Sequence, residues 1–407
     1  MDSPSSAIPP RSKVNLRTPE VMERVQAEVE EHYRSELVER IRAQNGVYRV
    51  GKTTIRLARE FGFCYGVERA IDLAYAARKV FPDRRVYLLG EIIHNPDVNA
   101  QLAAMGIENL VSKSSPAFDN LQRDDVVIVP AFGAEVKTVA TLRAQGCQIV
   151  DTTCGDVMSV WRRVRQNAKD GVTSIIHGKA EHEETRATAS HALGDKGQGH
   201  YLIVLNLEET KIICDYIRDG GDSEALLRRF EGAYSPGFDP TLHLSKVGVA
   251  NQTTMLREET NSVQQRIREA ITDRDATGEN FRFFDTICGA TQDRQDALFH
   301  LLEERLDLMI VVGGYNSSNT THLVEISQQK LPTYFIQNSS RLVDANTIQA
   351  YDIHKKQEVT EHRAWLPLEG ELIIGITAGA SCPNNLIEES ILRLLALRNE
   401  QGGSNLS

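Results

Sequence analysis

The chain has 407 residues, 41% of them hydrophobic and 25% charged, and a formal net charge of −10. Such a length allows two or three domains with cores of their own in a soluble globular protein, and the charge argues against a nucleic-acid partner, whose phosphates need Lys and Arg. Six cysteines without a C-x-x-C pair do not make a disulfide framework, and no run is long and apolar enough to predict a membrane partner. The expected compartment is the reducing cytoplasm; residues 20–40 are too acidic for a transit peptide, which puts the plastid stroma second.

Residues 1–17, rich in Ser, Pro and Arg, read as disordered. From Thr18-Pro19-Glu20 a capped amphipathic helix is expected, carrying Val21, Val25, Val29, Leu37 and Ile41 on one stripe and ending near Asn45-Gly46. Its expected role is docking on the body or on a second copy in a homodimer. Residues 46–53 match the phosphate-loop pattern G-x-x-x-x-G-K-T, but a phosphate loop leaves a strand and opens a helix. Here a helical stretch precedes and a strand-like one follows, so the match is read as accidental.

Beyond Thr54, strand-like runs at 86–89, 126–129, 148–150, 174–176, 202–205, 308–312, 333–336 and 372–376 alternate with helical patterns. Those lie at 67–80, 136–144, 158–168, 258–271, 294–304 and 385–397. This alternation predicts α/β units with mostly parallel sheets. The expected partition is an extension (1–52), α/β lobes over 53–153, 154–284 and 285–380, and a helix and tail over 381–407. The stretch 191–245 reads as a less regular insertion in the middle lobe.

One phrase occurs twice: Asp151-Thr152-Thr153-Cys154-Gly155 and Asp285-Thr286-Ile287-Cys288-Gly289, each after an apolar run and before a helical stretch. Cys64, in Phe61-Gly62-Phe63-Cys64-Tyr65-Gly66, has a related setting. Three thiols at strand ends imply three ligands to one centre, with an open coordination position able to act as a Lewis acid. Cys147 and Cys214 read as core residues. Cys382 follows a strand end but lacks the frame, and is left out of the ligand set.

Other strand ends carry polar groups, where α/β sheets place ligands. His94, His182, Ser317, Ser318, Asn319 and Ser381, with the exposed N–H groups of glycine-rich turns, suit an anion such as diphosphate. Glu184, close to His182 in sequence, becomes a proton donor if burial raises its pKa.

Together these phrases resemble the 4-hydroxy-3-methylbut-2-enyl diphosphate reductase (LytB) family, which ends the non-mevalonate isoprenoid pathway. The resemblance runs from about Thr54 to Leu397. It rests on Gly62-Phe63-Cys64, Glu91-Ile92-Ile93-His94-Asn95, Asp151-Thr152-Thr153-Cys154, Asn251-Gln252-Thr253-Thr254, Asp285-Thr286-Ile287-Cys288 with Ala290-Thr291-Gln292, Asn316-Ser317-Ser318-Asn319 and Thr377-Ala378-Gly379-Ala380-Ser381. The extension, the phrase from His177 to Thr185 and the insertion are similar to the longer cyanobacterial and plastid branch.

The resemblance implies three α/β lobes around a [4Fe–4S] cluster held by Cys64, Cys154 and Cys288, with one open iron for the substrate hydroxyl. It also implies diphosphate binding by His94, His182, Ser317, Ser318, Asn319 and Ser381, and proton supply by Glu184 with Thr253. Two electrons from ferredoxin or flavodoxin and two protons would remove the hydroxyl as water, giving isopentenyl or dimethylallyl diphosphate. The chain departs from the family pattern at Phe132, where many members carry His, at Gly155 in place of Pro, and at Cys382 in place of Ala or Thr. The rival readings are a phosphate-loop NTPase and a non-catalytic metal-binding protein.

Overall fold

The computed structural model describes residues 15–112, 115–116, 118–284 and 286–400. Residues 1–14 of the stretch expected to be disordered, and Asp285 of the second cysteine phrase, lie outside them. Three sheets build three lobes. Lobe one is a four-stranded parallel sheet in the order Ile107–Asn109, Val86–Leu88, Val126–Val129, Gln148–Asp151. Lobe two is a second, in the order Tyr201–Val204, Thr173–His177, Val247–Asn251, Phe281–Phe283.

Lobe three has five strands in the order Val47–Val50, Thr53–Leu57, Leu372–Ala378, Leu308–Val312, Thr333–Ile336; only the first pair is antiparallel. The central strands are fully buried, as in a parallel sheet covered on both faces; Val126–Val129 and Leu308–Val312 are apolar throughout, and Thr173–His177 keeps Ile175 and Ile176 at its centre. No helix among the described residues is long and apolar enough to cross a membrane.

Strand pairing redraws the expected partition. Thr53–Leu57 pairs with Leu372–Ala378, so the first strands belong to lobe three and not to a lobe ending at 153. The helix Asn384–Leu397 is no separate tail either, because Leu386, Ile387, Ile391, Leu394 and Leu395 pack into that lobe's core. Long-range pairing of this kind leaves no local sequence signal.

From Thr53 onward the chain passes from lobe to lobe three times. The strand Thr53–Leu57 lies in lobe three, but the helix that follows, Tyr65–Val80, buries Ala70, Ile71 and Ala74 in the core of lobe one. The strand Gln148–Asp151 ends lobe one, and the next helix, Gly155–Lys169, packs Val160 and Val164 against Ile176, Ile203 and Ala250 of lobe two. The strand Phe281–Phe283 ends lobe two, and Gly289–Leu302 puts Ala297, Leu298 and Leu301 into lobe three. Cys64, Cys154 and Cys288 are the residues immediately before those three helices.

The extension is two helices, Pro19–Tyr33 and Glu36–Ala43, where one was expected. Arg34 leaves the helical region, and Ser35 starts the second helix by accepting from the N–H of Val38 at 2.9 Å. Thr18 stands at the N-cap of the first helix, but its side chain makes no capping hydrogen bond there. Val25 and Tyr33 pack on the Cys64-bearing helix, and Tyr33 lies 5.5 Å from the Phe63 ring. The 46–53 match is a β-hairpin, Val47–Val50 against Thr53–Leu57, turning at Gly51-Lys52.

The 191–245 stretch is more regular than expected. After its strand come Leu207–Asp219, Ser223–Arg229 and Pro240–His243, each begun by an Asn or Asp whose side chain accepts from first-turn N–H groups: Asn206, Asp222 and Asp239. Those caps were the signal available in the sequence. The antiparallel sheet Leu342–Asp344, Thr347–Asp352 and Gln357–His362 was missed because its outer strand is mostly polar and exposed.

Candidate functional site

All eleven residues singled out in the sequence line one central cavity where the three lobes meet. One end holds Cys64, Cys154 and Cys288. Their placement follows from the crossings, since a turn between two lobes must lie at the lobe interface. In the two D-T-x-C-G phrases the Thr hydroxyls anchor the turn: Thr152 donates to the Val129 carbonyl at 2.6 Å, and Thr286 to the Asn251 side chain. Each cysteine N–H is also tied to another segment. Cys64 donates to Ala380, Cys154 to Ala131 and Cys288 to Thr253.

Two arginines, missed in the sequence, close the ring. Arg69, on the Cys64-bearing helix, donates to the carbonyls of Thr152 and Thr153 beside Cys154. Arg294, on the Cys288-bearing helix and buried, donates to Gly62 at 2.7 Å near Cys64. The approach is close enough to require glycine at position 66, where a Cβ would stand 2.6 Å from the Cys154 sulfur and 3.9 Å from that of Cys64.

The thiol set fits an iron–sulfur group. Each cysteine occupies the N-cap of its helix, so three partial positive charges converge on the centre and favour anionic sulfur. The N–H groups of Asp156 and Val157 act on Cys154, and that of Thr291 on Cys288, in the same sense. Burial is the larger influence: it raises the Cys154 thiol and pushes Cys288 up to about 12. Loss of these protons is therefore coupled to binding a cation. Among the described residues, the one set of three His, Cys, Asp or Glu ligand atoms within 4.8 Å of one another is His94, His182 and Glu183. The thiols are more widely spread than a single ion needs, as a polynuclear group requires.

Cys382 is fully buried in the core of lobe three, its sulfur 3.6 Å from the Pro383 carbonyl, and does not line the cavity. Cys147 and Cys214 are core residues as read.

The opposite end is an anion cradle. Ser317 caps the helix Ser318–Gln328, which presents Ser318 and Asn319 in its first turn. Asn95 caps Pro96–Ala104 and His182 caps Glu183–Ala192. The Asn319 carbonyl oxygen accepts from the N–H of Ala380, but its buried Nδ2 has no partner, a donor awaiting an acceptor. Ser381 donates to the His94 carbonyl at 3.2 Å.

The histidine tautomers follow from the hydrogen bonds. His182 Nδ1 accepts from the Glu184 N–H at 3.1 Å, and burial lowers its pKa to about 3, so the neutral ring carries its proton on Nε2. That Nε2 faces His94 Nε2 at 3.3 Å, which must then be the acceptor. His94 therefore keeps its proton on Nδ1 and donates to Glu91 at 2.9 Å. Phe132, at a departure from the family pattern, stacks on His94 at 4.7 Å and 12°. The same tautomers argue against a metal ion on His94, His182 and Glu183, because the capping bond keeps a proton on His182 Nε2.

Between the two ends lies Glu184, 3% exposed and raised by burial to about 7. Its carboxylate accepts from the Thr253 N–H at 2.6 Å and the Thr253 hydroxyl at 3.0 Å.

Fold and cavity define a class: three α/β lobes enclosing a thiol-lined pocket that opens onto an anion cradle. The chain belongs to the LytB protein family, whose pattern it matches over residues 55–395. It is 47% identical to 4-hydroxy-3-methylbut-2-enyl diphosphate reductase of Thermosynechococcus vestitus over 381 residues, 92% of each chain. It is equally identical to the protein of that name in Synechococcus sp. RCC307, over 92% of this chain and 91% of the relative. A solved (E)-4-hydroxy-3-methyl-but-2-enyl diphosphate reductase superposes with a TM-score of 0.52 at 26% identity, covering 86% of this chain and all of that one. The reductase from Plasmodium falciparum shares the fold, with a TM-score of 0.62 at 21% identity over 87% and 93% of the two chains.

Proposed function

We propose that the chain reduces 4-hydroxy-3-methylbut-2-enyl diphosphate, with two electrons and two protons, to isopentenyl or dimethylallyl diphosphate and water. The supporting observation is one cavity that joins three helix-capped thiols, a buried Glu184–Thr253 pair and a cradle of helix N-termini. Relatives at 47% identity over nearly their full length carry this reductase name.

Cys64, Cys154 and Cys288 would hold a [4Fe–4S] cluster, which would supply single electrons and Lewis acidity when bound. The diphosphate is held by His182 Nε2–H, the free Asn319 Nδ2, the hydroxyls of Ser317, Ser318 and Ser381, and the N–H groups opening Ser318–Gln328. These groups fix the substrate at one end, so its hydroxyl end reaches toward Glu184. At pKa about 7, Glu184 keeps a proton to give at neutral pH, and Thr253 orients the carboxyl. Electrons come from a small carrier such as ferredoxin or flavodoxin, and the enzyme works in the cytoplasm, as its cyanobacterial relatives suggest.

The test is anaerobic turnover with the diphosphate substrate and product identification. The wild type should release both isomers, with a rate that falls as pH rises through about 7 and Glu184 loses its proton. Glu184→Gln should still bind substrate but lose at least about 100-fold in rate, the usual worth of a positioned acid. A rate for Glu184→Gln near the wild type would remove Glu184 from the proton path.

A further inference from the structure

We propose that the basic recess formed by Arg143, Arg162 and Arg165 is the landing site for an acidic protein that carries one electron at a time. The inference rests on the reductase reading, since only a chain that consumes electrons needs such a partner. The recess, of about 570 Å³, lies at the junction of lobes one and two, apart from the central cavity. It is walled by the helix Val136–Ala144 and by the Cys154-bearing helix.

Thr153 and Gly155 line this recess, while Cys154 between them lines the central cavity. A single residue of backbone thus separates a docked partner from one of the three sulfurs. Nearby cations elsewhere are neutralised: Arg186 pairs with Glu135 and Arg282 with Asp170. Among the described residues no carboxylate makes an ion pair with Arg143, Arg162 or Arg165. The one acid in the lining, Asp151, is already engaged by the N–H and hydroxyl of Thr153.

A positive recess on a chain of net charge −10 is a localised feature and not a general property of the surface. Its rim also exposes Val136 (44%) and Met158 (37%), so it offers apolar contact ringed by charge. That combination suits the small, transient interfaces of electron carriers, where opposite charge sets the rate and orientation of encounter. Removal of one hydroxyl as water takes two electrons and two protons. The carrier therefore docks twice per turnover and leaves each time oxidised by one electron.

The test uses an acidic plant-type [2Fe–2S] ferredoxin as probe and the Arg143→Glu/Arg162→Glu double variant of the holoprotein. Titration calorimetry with oxidised ferredoxin should show Kd rising about tenfold or more at low salt. The gap should close as salt screens the charges. Turnover should show a raised KM for ferredoxin and an unchanged rate with reduced methyl viologen, which needs no docking. An Arg143→Gln/Arg162→Gln variant should lie between the two. Unchanged ferredoxin Kd and KM in the double variant would overturn the proposal, as would salt-dependent RNA binding by a wild type that ignores ferredoxin. No turnover with viologen in the wild type would overturn the reductase reading, and this proposal with it.

Discussion

At the scale of single residues, the anion cradle depends on one histidine proton. In the free chain the neutral His182 ring donates its Nε2–H to His94 Nε2. A phosphate oxygen arriving in the cradle takes that proton as its hydrogen bond. His182→Phe, which removes the donor, should weaken substrate binding by about 1.5–3 kcal/mol, the worth of a hydrogen bond to a charged group. Calorimetric titration with the diphosphate substrate measures this directly. Wild-type affinity in His182→Phe would refute the contact.

At the scale of elements, the cysteine-bearing turns are held so tightly that small changes should discriminate. Gly66→Ala places a methyl 2.6 Å from the Cys154 sulfur and 3.9 Å from that of Cys64. It should cost about 1–3 kcal/mol, typical of overpacking, and reduce iron retained on reconstitution. Gly155→Ala, one residue beyond Cys154, meets no atom within 4 Å and should match the wild type. Equal iron content in the two variants would show that the turn yields more than its geometry implies.

The same turns explain what the sequence could and could not reveal. The phrases around Cys154 and Cys288 were legible because each needs particular residues locally, a Thr to anchor, a Cys at the N-cap and a Gly beside it, and the Cys64 phrase because it sets a Cys at the N-cap between Gly62 and Gly66. So were the buried strands such as 126–129 and 308–312, being continuously apolar. Arg69, Arg294 and Glu91 were not, because their partners lie in other segments or depend on a ring tautomer. Nor was the membership of Thr53–Leu57 in lobe three, since its neighbour Leu372–Ala378 is more than three hundred residues away in the chain.

At the scale of the whole molecule, three lobe crossings bring three cysteines to one point, and the cavity exists only while all three lobes are docked. Arg69 and Arg294 each bridge two cysteine-bearing turns, and the extension clasps the Cys64 helix from outside through Val25 and Tyr33. Sulfur geometry thus depends on the assembled chain, and a cluster bound there would in turn stabilise the assembly. Cys382, although one residue from the cradle's Ser381, faces the opposite way into the core.

The central claim is that Cys64, Cys154 and Cys288, and no other cysteine, hold one polynuclear iron–sulfur group. Iron and labile sulfide per chain, measured with Mössbauer spectra after anaerobic reconstitution, test it most directly. The expected result is about four irons, one of them distinct from the rest, as a cluster with three thiolates demands. Cys64→Ser, Cys154→Ser and Cys288→Ser should each lose most of that iron, and Cys382→Ala should keep it. Iron retained in any of the three serine variants, iron lost in Cys382→Ala, or zinc in place of iron would contradict the account.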